Sequence, residues 1–203
     1  MKTKIVDFLS LDERTFIIDY AMAQPWSHDI WGRFTCNIPV RDTQHLDWLY
    51  EKSASAASRE FNTKTLLPTY YKFCRYSLRY GSPRVPPHVD ENACTYTVDI
   101  QLGSSTQWSI YVDDEEYSMS DGDAIIYMGE EHLHWRPPFP TSDESDFVTM
   151  LFMHYAEPDH WFFQYGQDFM RNPEFHDIWI QKMRKLLASK KHWSMGEIDQ
   201  NII

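Results

Sequence analysis

Apolar and polar positions follow two different periods along this chain, and the period changes twice. From Leu11 to Gln24 apolar residues recur at helical spacing (Phe16, Ile17, Tyr20, Ala23), Ser10 stands where an N-cap belongs, and Pro25 ends the pattern. Asp42 to Arg59 predicts a second helix, opening on polar residues and continuing through Leu46, Leu49, Tyr50, Ala54 and Ala57. From Leu66 the period shortens. β-rich runs punctuated by Gly, Pro and Asp occupy about 66–80, 94–102, 107–113, 115–120, 123–128, 132–136 and 147–155. Short strands at such regular spacing predict a sandwich or barrel. Helical grammar returns after Pro158. Asn172-Pro173 reads as an N-cap and a first helical position, and the helix is expected to reach about Lys190, with Lys and Arg toward its end as the helix dipole favours. The expected architecture is mainly β with flanking helices: one domain over 1–203, made of N-terminal helices (1–65), a β core (66–156) and a C-terminal helical segment (157–203).

Composition narrows the setting. The chain is 42% hydrophobic and 16% aromatic, enough to build a core without staples. A net charge of -11 makes a nucleic-acid backbone an unlikely partner, since that partner calls for a basic patch. The three cysteines, Cys36, Cys74 and Cys94, are odd in number, widely spaced and form no C-x-x-C, which points to a reducing compartment rather than a disulfide framework. The start, MKTKIVDFLSLDERTF, meets acidic residues early and does not read as a signal peptide, and no apolar run is long enough for a bilayer. A cytoplasmic protein with no membrane partner is expected; the sequence leaves its oligomeric state open.

Candidate chemistry begins at PPHVDEN, residues 86–92, which contains His88-Val89-Asp90. The same H-x-D spacing occurs at His45-Leu46-Asp47, but there it falls in a predicted helix, where residues two apart point in different directions. Around His88 the prolines 83, 86 and 87 force extended backbone, and in a strand residues two apart share a face with Cα atoms roughly 6–7 Å apart. One ion can therefore bridge His88 and Asp90. A third ligand is available downstream in HLHWR, where His132, His134 and Arg136 alternate with Leu133 and Trp135. A solvated polar face is the plain alternative for that strand. Two histidines and one carboxylate match the facial triad of non-haem iron, which leaves open positions for chemistry; zinc more often takes a closed tetrahedron or three ligands plus water.

The ordered set LPTYY (67–71), HVD (88–90), the alternating strand 95–103, GDAIIYMG (122–129), HWRPPF (134–139) and FMHY (152–155) resembles the 2-oxoglutarate- and Fe(II)-dependent oxygenases. The likeness is nearest to an uncharacterised group of small bacterial and phage members and covers roughly residues 66–156. It implies a double-stranded β-helix, a cupin-like jelly roll. It implies His88, Asp90 and His134 as metal ligands to Fe(II), with His132 the alternative third ligand. The cofactors implied are Fe(II), 2-oxoglutarate and O2, and the reaction implied is hydroxylation of a C–H bond with release of succinate and CO2. An aspartate at position 90 argues against halogenation, which needs that position open to halide.

The strand TYTVDIQLG sends Tyr96, Val98, Ile100 and Leu102 to one side and Thr97, Asp99 and Gln101 to the other. The polar set is expected either to face solvent or to line the cosubstrate pocket, where each would need a partner. The family often places a cation about ten residues after the distal histidine to hold the cosubstrate's far carboxylate. Here that region is TSDESDF, which has none. Arg136 is the first candidate for the task, since arginine pairs bidentately with carboxylates. Arg75 and Arg79 are alternatives, each equally suited to a structural ion pair, and Tyr76 and Tyr80 are possible donors or core residues. His154 is expected as a satisfied interior histidine. The aromatic segments 24–36 and 160–165 are expected either at the cleft mouth or in the core. The substrate is expected to be a peptide, a protein or a small molecule. Two rivals stand beside this reading: a cupin-type metal enzyme that works without 2-oxoglutarate through three histidines, and a non-catalytic binding barrel.

Overall fold

The computed structural model describes residues 1–29, 33–38 and 45–165, together with individual helical positions between 177 and 188. Eleven strands are present among them: β1 (Lys2–Ile5), β2 (Ser27–His28), β3 (Arg33–Ile38), β4 (Leu67–Tyr76), β5 (Val85–His88), β6 (Tyr96–Ser104), β7 (Ile110–Val112), β8 (Glu115–Tyr117), β9 (Ala124–Tyr127), β10 (His134–Arg136) and β11 (Val148–Ala156). The helices are α1 (Leu11–Met22), α2 (Asp47–Phe61) and the single turn α3 (Phe162–Tyr165).

Strands β4 to β11 pair as nested antiparallel couples: β4 with β11, β5 with β10, β6 with β9 and β7 with β8. Such a strip folds over on itself into two facing sheets, with strand orders β1-β9-β6-β11-β4-β3-β2 and β5-β10-β7-β8. This nesting is the jelly roll, the double-stranded β-helix that the family resemblance implies, and it agrees with the sandwich or barrel expected from the strand spacing. Strand β1 extends the large sheet at one edge, and β3 and β2 extend it at the other.

Both faces of the large sheet are covered. Its outer face carries Val98, Ile100 and Leu102 of β6, Phe73 of β4 and Leu151 and Met153 of β11, packed with Ile17 and Ala21 of α1 and Leu49 and Ala57 of α2. Burying a side chain of this size contributes roughly 1.5–3 kcal/mol, so the outer seam holds the helices to the sheet. The inner face packs Cys74, Tyr76, Ile125 and Met150 against Val85, Ile110 and Val112 of the small sheet. Trp108 closes this inner core and donates from Nε1 to the Pro137 carbonyl at 2.8 Å.

Local sequence explains the elements. Ser10 caps α1 in a full capping box: its side chain accepts from Glu13 N at 3.2 Å, and Glu13 Oε2 accepts from Ser10 N at 2.8 Å. Pro86 and Pro87 sit inside β5, which pairs only with β10 and forms the edge of its sheet. An edge strand tolerates the missing N–H groups that would break a central one.

Several expectations shift. The region 1–65 contributes three strands as well as two helices. Strand β1 reads polar (KTKI) and acquires its identity from pairing with β9, while β3 acquires its own from pairing with β4. Helix α2 begins at Asp47 rather than at 42, and residues 42–44 lie outside the described residues. The strand expected over 66–80 ends at Tyr76 and gives way to a 3-10 turn, Leu78–Tyr80. The helix expected from Asn172 to Lys190 falls largely outside the described residues; positions 177, 178, 180, 181, 184, 185 and 188 are helical.

Candidate metal centre

Three side chains converge where β5 and β10 run side by side. His88 at the end of β5 is the cross-strand partner of His134 at the start of β10, and their ring centroids are 4.2 Å apart. Asp90 follows β5 by two residues, and its backbone N–H donates to the Gly129 carbonyl at 2.8 Å, in the turn that leads from β9 toward β10. Asp90 Oδ1 lies 3.8 Å from His88 Nε2 and 3.4 Å from His134 Nε2. One ligand atom from each of the three fits within a 4.8 Å cluster.

The imidazoles are turned toward this point by their other nitrogens. His88 Nδ1 donates to the Pro86 carbonyl at 2.8 Å, and His134 Nδ1 donates to the His132 carbonyl at 3.0 Å. A carbonyl can only accept, so both rings carry their proton on Nδ1 and present Nε2 to the centre. This backbone support is how metal-binding histidines are commonly oriented. Thr97 Oγ1 donates to Asp90 Oδ2 at 3.2 Å and leaves Oδ1 facing the two histidines. Gly129 is required by the same crowding: a Cβ there would collide with Asp90 Oδ2, Thr97 Oγ1 and the Cys94 carbonyl.

Charge suits a cation. Burial, with His134 nearby, pushes the His88 imidazolium down to about 3, so His88 is neutral and ready to ligate. Burial opposes ionisation of Asp90, yet the neighbouring His134 holds its carboxyl well below the ordinary range. His134 is raised despite burial, chiefly by the negative charge of Asp90 beside it. An anion, a neutral imidazole and a second imidazole whose proton a metal can displace form a donor set that fits a divalent iron.

The triad opens into a cavity of about 230 Å³ between the two sheets. Arg136, two residues after His134, reaches into it from the same strand face and is buried. Its Nη1 donates to the Trp108 carbonyl, its Nη2 lies 3.5 Å from Met150 Sδ, and its guanidinium sits 5.0 Å from the Trp108 ring centre. None of the ion pairs among the described residues includes Arg136. Tyr76 and Asp99 also line the cavity. Asp99 accepts from Tyr127 Oη at 2.9 Å through Oδ2, while its Oδ1 is sealed and has no partner among the described residues. Burial, reinforced by Asp90, pushes its carboxyl up to about 7.

Other expected site residues lie elsewhere. Gln101 is buried but does not line the cavity; its amide donates to Ser104 Oγ, the Met119 carbonyl and Asp121 Oδ1, all at 3.1–3.2 Å, and ties down the turn before β9. Thr97 is also absent from the lining and works from behind Asp90. The expectation of a solvent-facing polar stripe on β6 fails, because Thr97, Asp99 and Gln101 are all buried between the sheets. His132 does not share the face of His134. It sits in the turn before β10, with Nδ1 2.8 Å from Asp113 Oδ2, because the strand starts two residues later than the alternation suggests. Arg75 points to the helix-covered face, stacked 3.8 Å over the Phe147 ring, and Arg79 is exposed on the 3-10 turn. Tyr80 and Trp26 belong to that same outer face. His45 and Asp47 form no cluster. The sequence reading missed two cations of the cavity, Arg33 on β3 and Lys72 on β4, together with Tyr127. Alternation along β4 places Lys72 on the same face as Tyr76 and was the available signal for it; Arg33 required knowing that β3 exists.

No protein-family model matches the chain, and no curated protein matches it. Solved structures do. An oxidoreductase of the 2OG-Fe(II) oxygenase family from Burkholderia pseudomallei superposes with a TM-score of 0.60 at 12% identity, over 76% of this chain and 85% of that one. HygX from Streptomyces hygroscopicus, solved with nickel and 2-oxoglutarate, gives 0.62 at 8% identity over 78% and 83%. The viral collagen prolyl hydroxylase of Paramecium Bursaria Chlorella virus-1, solved as a 2-oxoglutarate complex, gives 0.58 at 14% identity over 76% and 94%. The chain thus has the double-stranded β-helix fold of the 2-oxoglutarate- and Fe(II)-dependent oxygenases, with a two-histidine, one-carboxylate cluster at the junction of β5 and β10.

Proposed function

We propose that this chain is an Fe(II)- and 2-oxoglutarate-dependent oxygenase that hydroxylates a C–H bond of a peptide, protein or small-molecule substrate, with release of succinate and CO2. One observation carries the reading: a largely buried His88–Asp90–His134 cluster opens into a cavity whose deep arginine, Arg136, is paired with no carboxylate among the described residues. A buried guanidinium without an acid invites an anionic ligand, and arginine binds carboxylates bidentately. Iron and the keto acid, once bound, supply an oxidant strong enough for an unactivated C–H bond.

The protein's own residues then divide the work. His88, Asp90 and His134 would hold the ion. Arg136 fixes the far carboxylate of 2-oxoglutarate, and Tyr76 borders the same pocket. Val85, Ile110 and Phe152 supply apolar wall that excludes water. Neighbours of this fold include prolyl hydroxylases and HygX, solved also with hygromycin B bound, which supports both a peptide and a small-molecule substrate class. Three histidines on one metal, as a cupin-type rival requires, find no support from His132, whose ring is engaged by Asp113. The test is turnover of 2-oxoglutarate to succinate by Fe(II)-loaded protein in air without added substrate. Slow conversion that disappears in His134→Ala is expected; equal rates in both proteins would overturn the proposal.

A further inference from the structure

His154 on β11 lines the cavity yet has no part in the triad or the arginine clamp. Its Nδ1 lies 3.1 Å from Thr97 Oγ1, and the same hydroxyl is 3.2 Å from Asp90 Oδ2. The directions of these two bonds follow from counting protons. The Asp90 carboxylate can only accept, so the single Thr97 hydroxyl proton goes to Oδ2. Thr97 Oγ1 must then accept from His154, which fixes the imidazole proton on Nδ1. The remaining nitrogen, Nε2, carries a lone pair. It has no hydrogen-bond partner among the described residues and is not one of the atoms sealed from solvent. The Tyr70 ring, 4.5 Å away by centroids, packs on one side of the imidazole and steadies it. One ring nitrogen of His154, an Asp90 oxygen and Cys94 Sγ lie within 4.8 Å of one another, and His154 lines the same cavity as the triad.

We propose that Thr97 and His154 form a fixed relay with two effects. It holds Asp90 as a one-oxygen ligand, and it presents His154 Nε2 as a hydrogen-bond acceptor to substrate, so that the substrate carries an N–H or O–H donor near the carbon that reacts. Amides, amines and alcohols fit this description, and wholly aliphatic or ether-like substrates do not. Thr97 is a positioning residue and His154 a specificity-determining one. The second effect rests on the oxygenase reading above, whereas the tautomer does not. Burial, opposed by the facing Asp90 carboxylate and aided by His134 and Lys72, pushes His154 down to about 4, so it is neutral and its lone pair is available at physiological pH.

The test is long-range 1H–15N correlation of the imidazoles in the full-length, 15N-labelled protein, metal-free and loaded with diamagnetic zinc, with His154→Phe assigning the signal. Nδ1 protonated and Nε2 bare are expected in both states. Thr97→Val is expected to convert this to a mixture of tautomers, and Thr97→Ser to restore the single one, which separates the hydrogen bond from packing. An Nε2-protonated ring or an imidazolium at neutral pH would overturn the relay. The acceptor role is probed with acetamide and with N,N-dimethylacetamide, which differ in their N–H donors. Only acetamide is expected to move the Nε2 resonance; equal movement by both, or by neither, would overturn the substrate assignment. If zinc leaves the Nε2 signals of His88 and His134 untouched, the triad reading fails instead, and the tautomer result stands by itself.

Discussion

Asp99→Asn offers a quantitative test of the cavity electrostatics. Asp99 is buried, its Oδ1 meets no donor, and its carboxyl is pushed up to about 7 by burial and by Asp90, against an ordinary value of 3.8. A raised carboxyl means the folded protein keeps a proton that the unfolded chain gives up. The stability tied to that proton is fully present below about 4 and is lost as the pH rises through about 7. The gap of about 3 pH steps, at about 1.4 kcal/mol each, sets an upper bound of roughly 4 kcal/mol. Asparagine cannot ionise and still accepts from Tyr127 Oη, but it puts an amide donor where Oδ1 stood, at a cost of about 1–2 kcal/mol. The metal-free variant should therefore exceed the parent by roughly 2–3 kcal/mol at pH 8.5, or about 5–10 °C in Tm for a chain of this size. At pH 4, where the parent carboxyl is protonated, only the amide cost remains and the variant should fall about 1–2 kcal/mol below the parent. Thermal melts by circular dichroism across pH 4–8.5 check this, since groups common to both proteins cancel in the difference. Parallel curves, with no advantage gained as the pH rises, would refute the claim that burial and Asp90 raise the Asp99 carboxyl.

Three other outcomes follow from the geometry. Gly129→Ala should weaken divalent-metal affinity at least tenfold in a zinc or iron titration and cost roughly 1–3 kcal/mol of stability, because its Cβ collides with Asp90 Oδ2, Thr97 Oγ1 and the Cys94 carbonyl. Arg136→Ala should raise the 2-oxoglutarate concentration needed for binding by about 10–100-fold in calorimetry, with metal affinity nearly intact; finding that effect in Arg75→Ala instead would refute the assignment of the clamp. Ser10→Ala should lower stability by about 1 kcal/mol in urea unfolding through loss of the α1 cap, and should leave 2-oxoglutarate binding unchanged.

Much of the site is legible in the sequence because strand periodicity and proline chemistry act locally. Pro86 and Pro87 force the extended backbone that lets His88 and Asp90 face one point, and the alternation of His134 and Arg136 survives in β10. Seven of the eight nested strands overlap the β-rich runs and the eighth, β5, lies in the proline-extended segment, whereas the nesting itself is implied by the family resemblance. What was not legible depends on pairing between distant segments. Strands β1, β2 and β3 are short and carry no strong pattern of their own, so Arg33 could not be placed in the cavity. His132 looked equivalent to His134 because alternation does not say where a strand begins; the turn at 129–133 removes it. Gln101 fits the inward stripe of β6, but the cavity ends before it, where the amide is consumed by the Met119–Asp121 turn.

The central claim, that His88, Asp90 and His134 would hold an iron to which 2-oxoglutarate binds beside Arg136, is tested most directly by anaerobic titration of the Fe(II)-loaded protein with 2-oxoglutarate. The account predicts a weak visible charge-transfer band that saturates at one cosubstrate per iron, persists at higher half-saturation in Arg136→Ala and is absent in His134→Ala. Full iron loading with no such band on adding 2-oxoglutarate would contradict it.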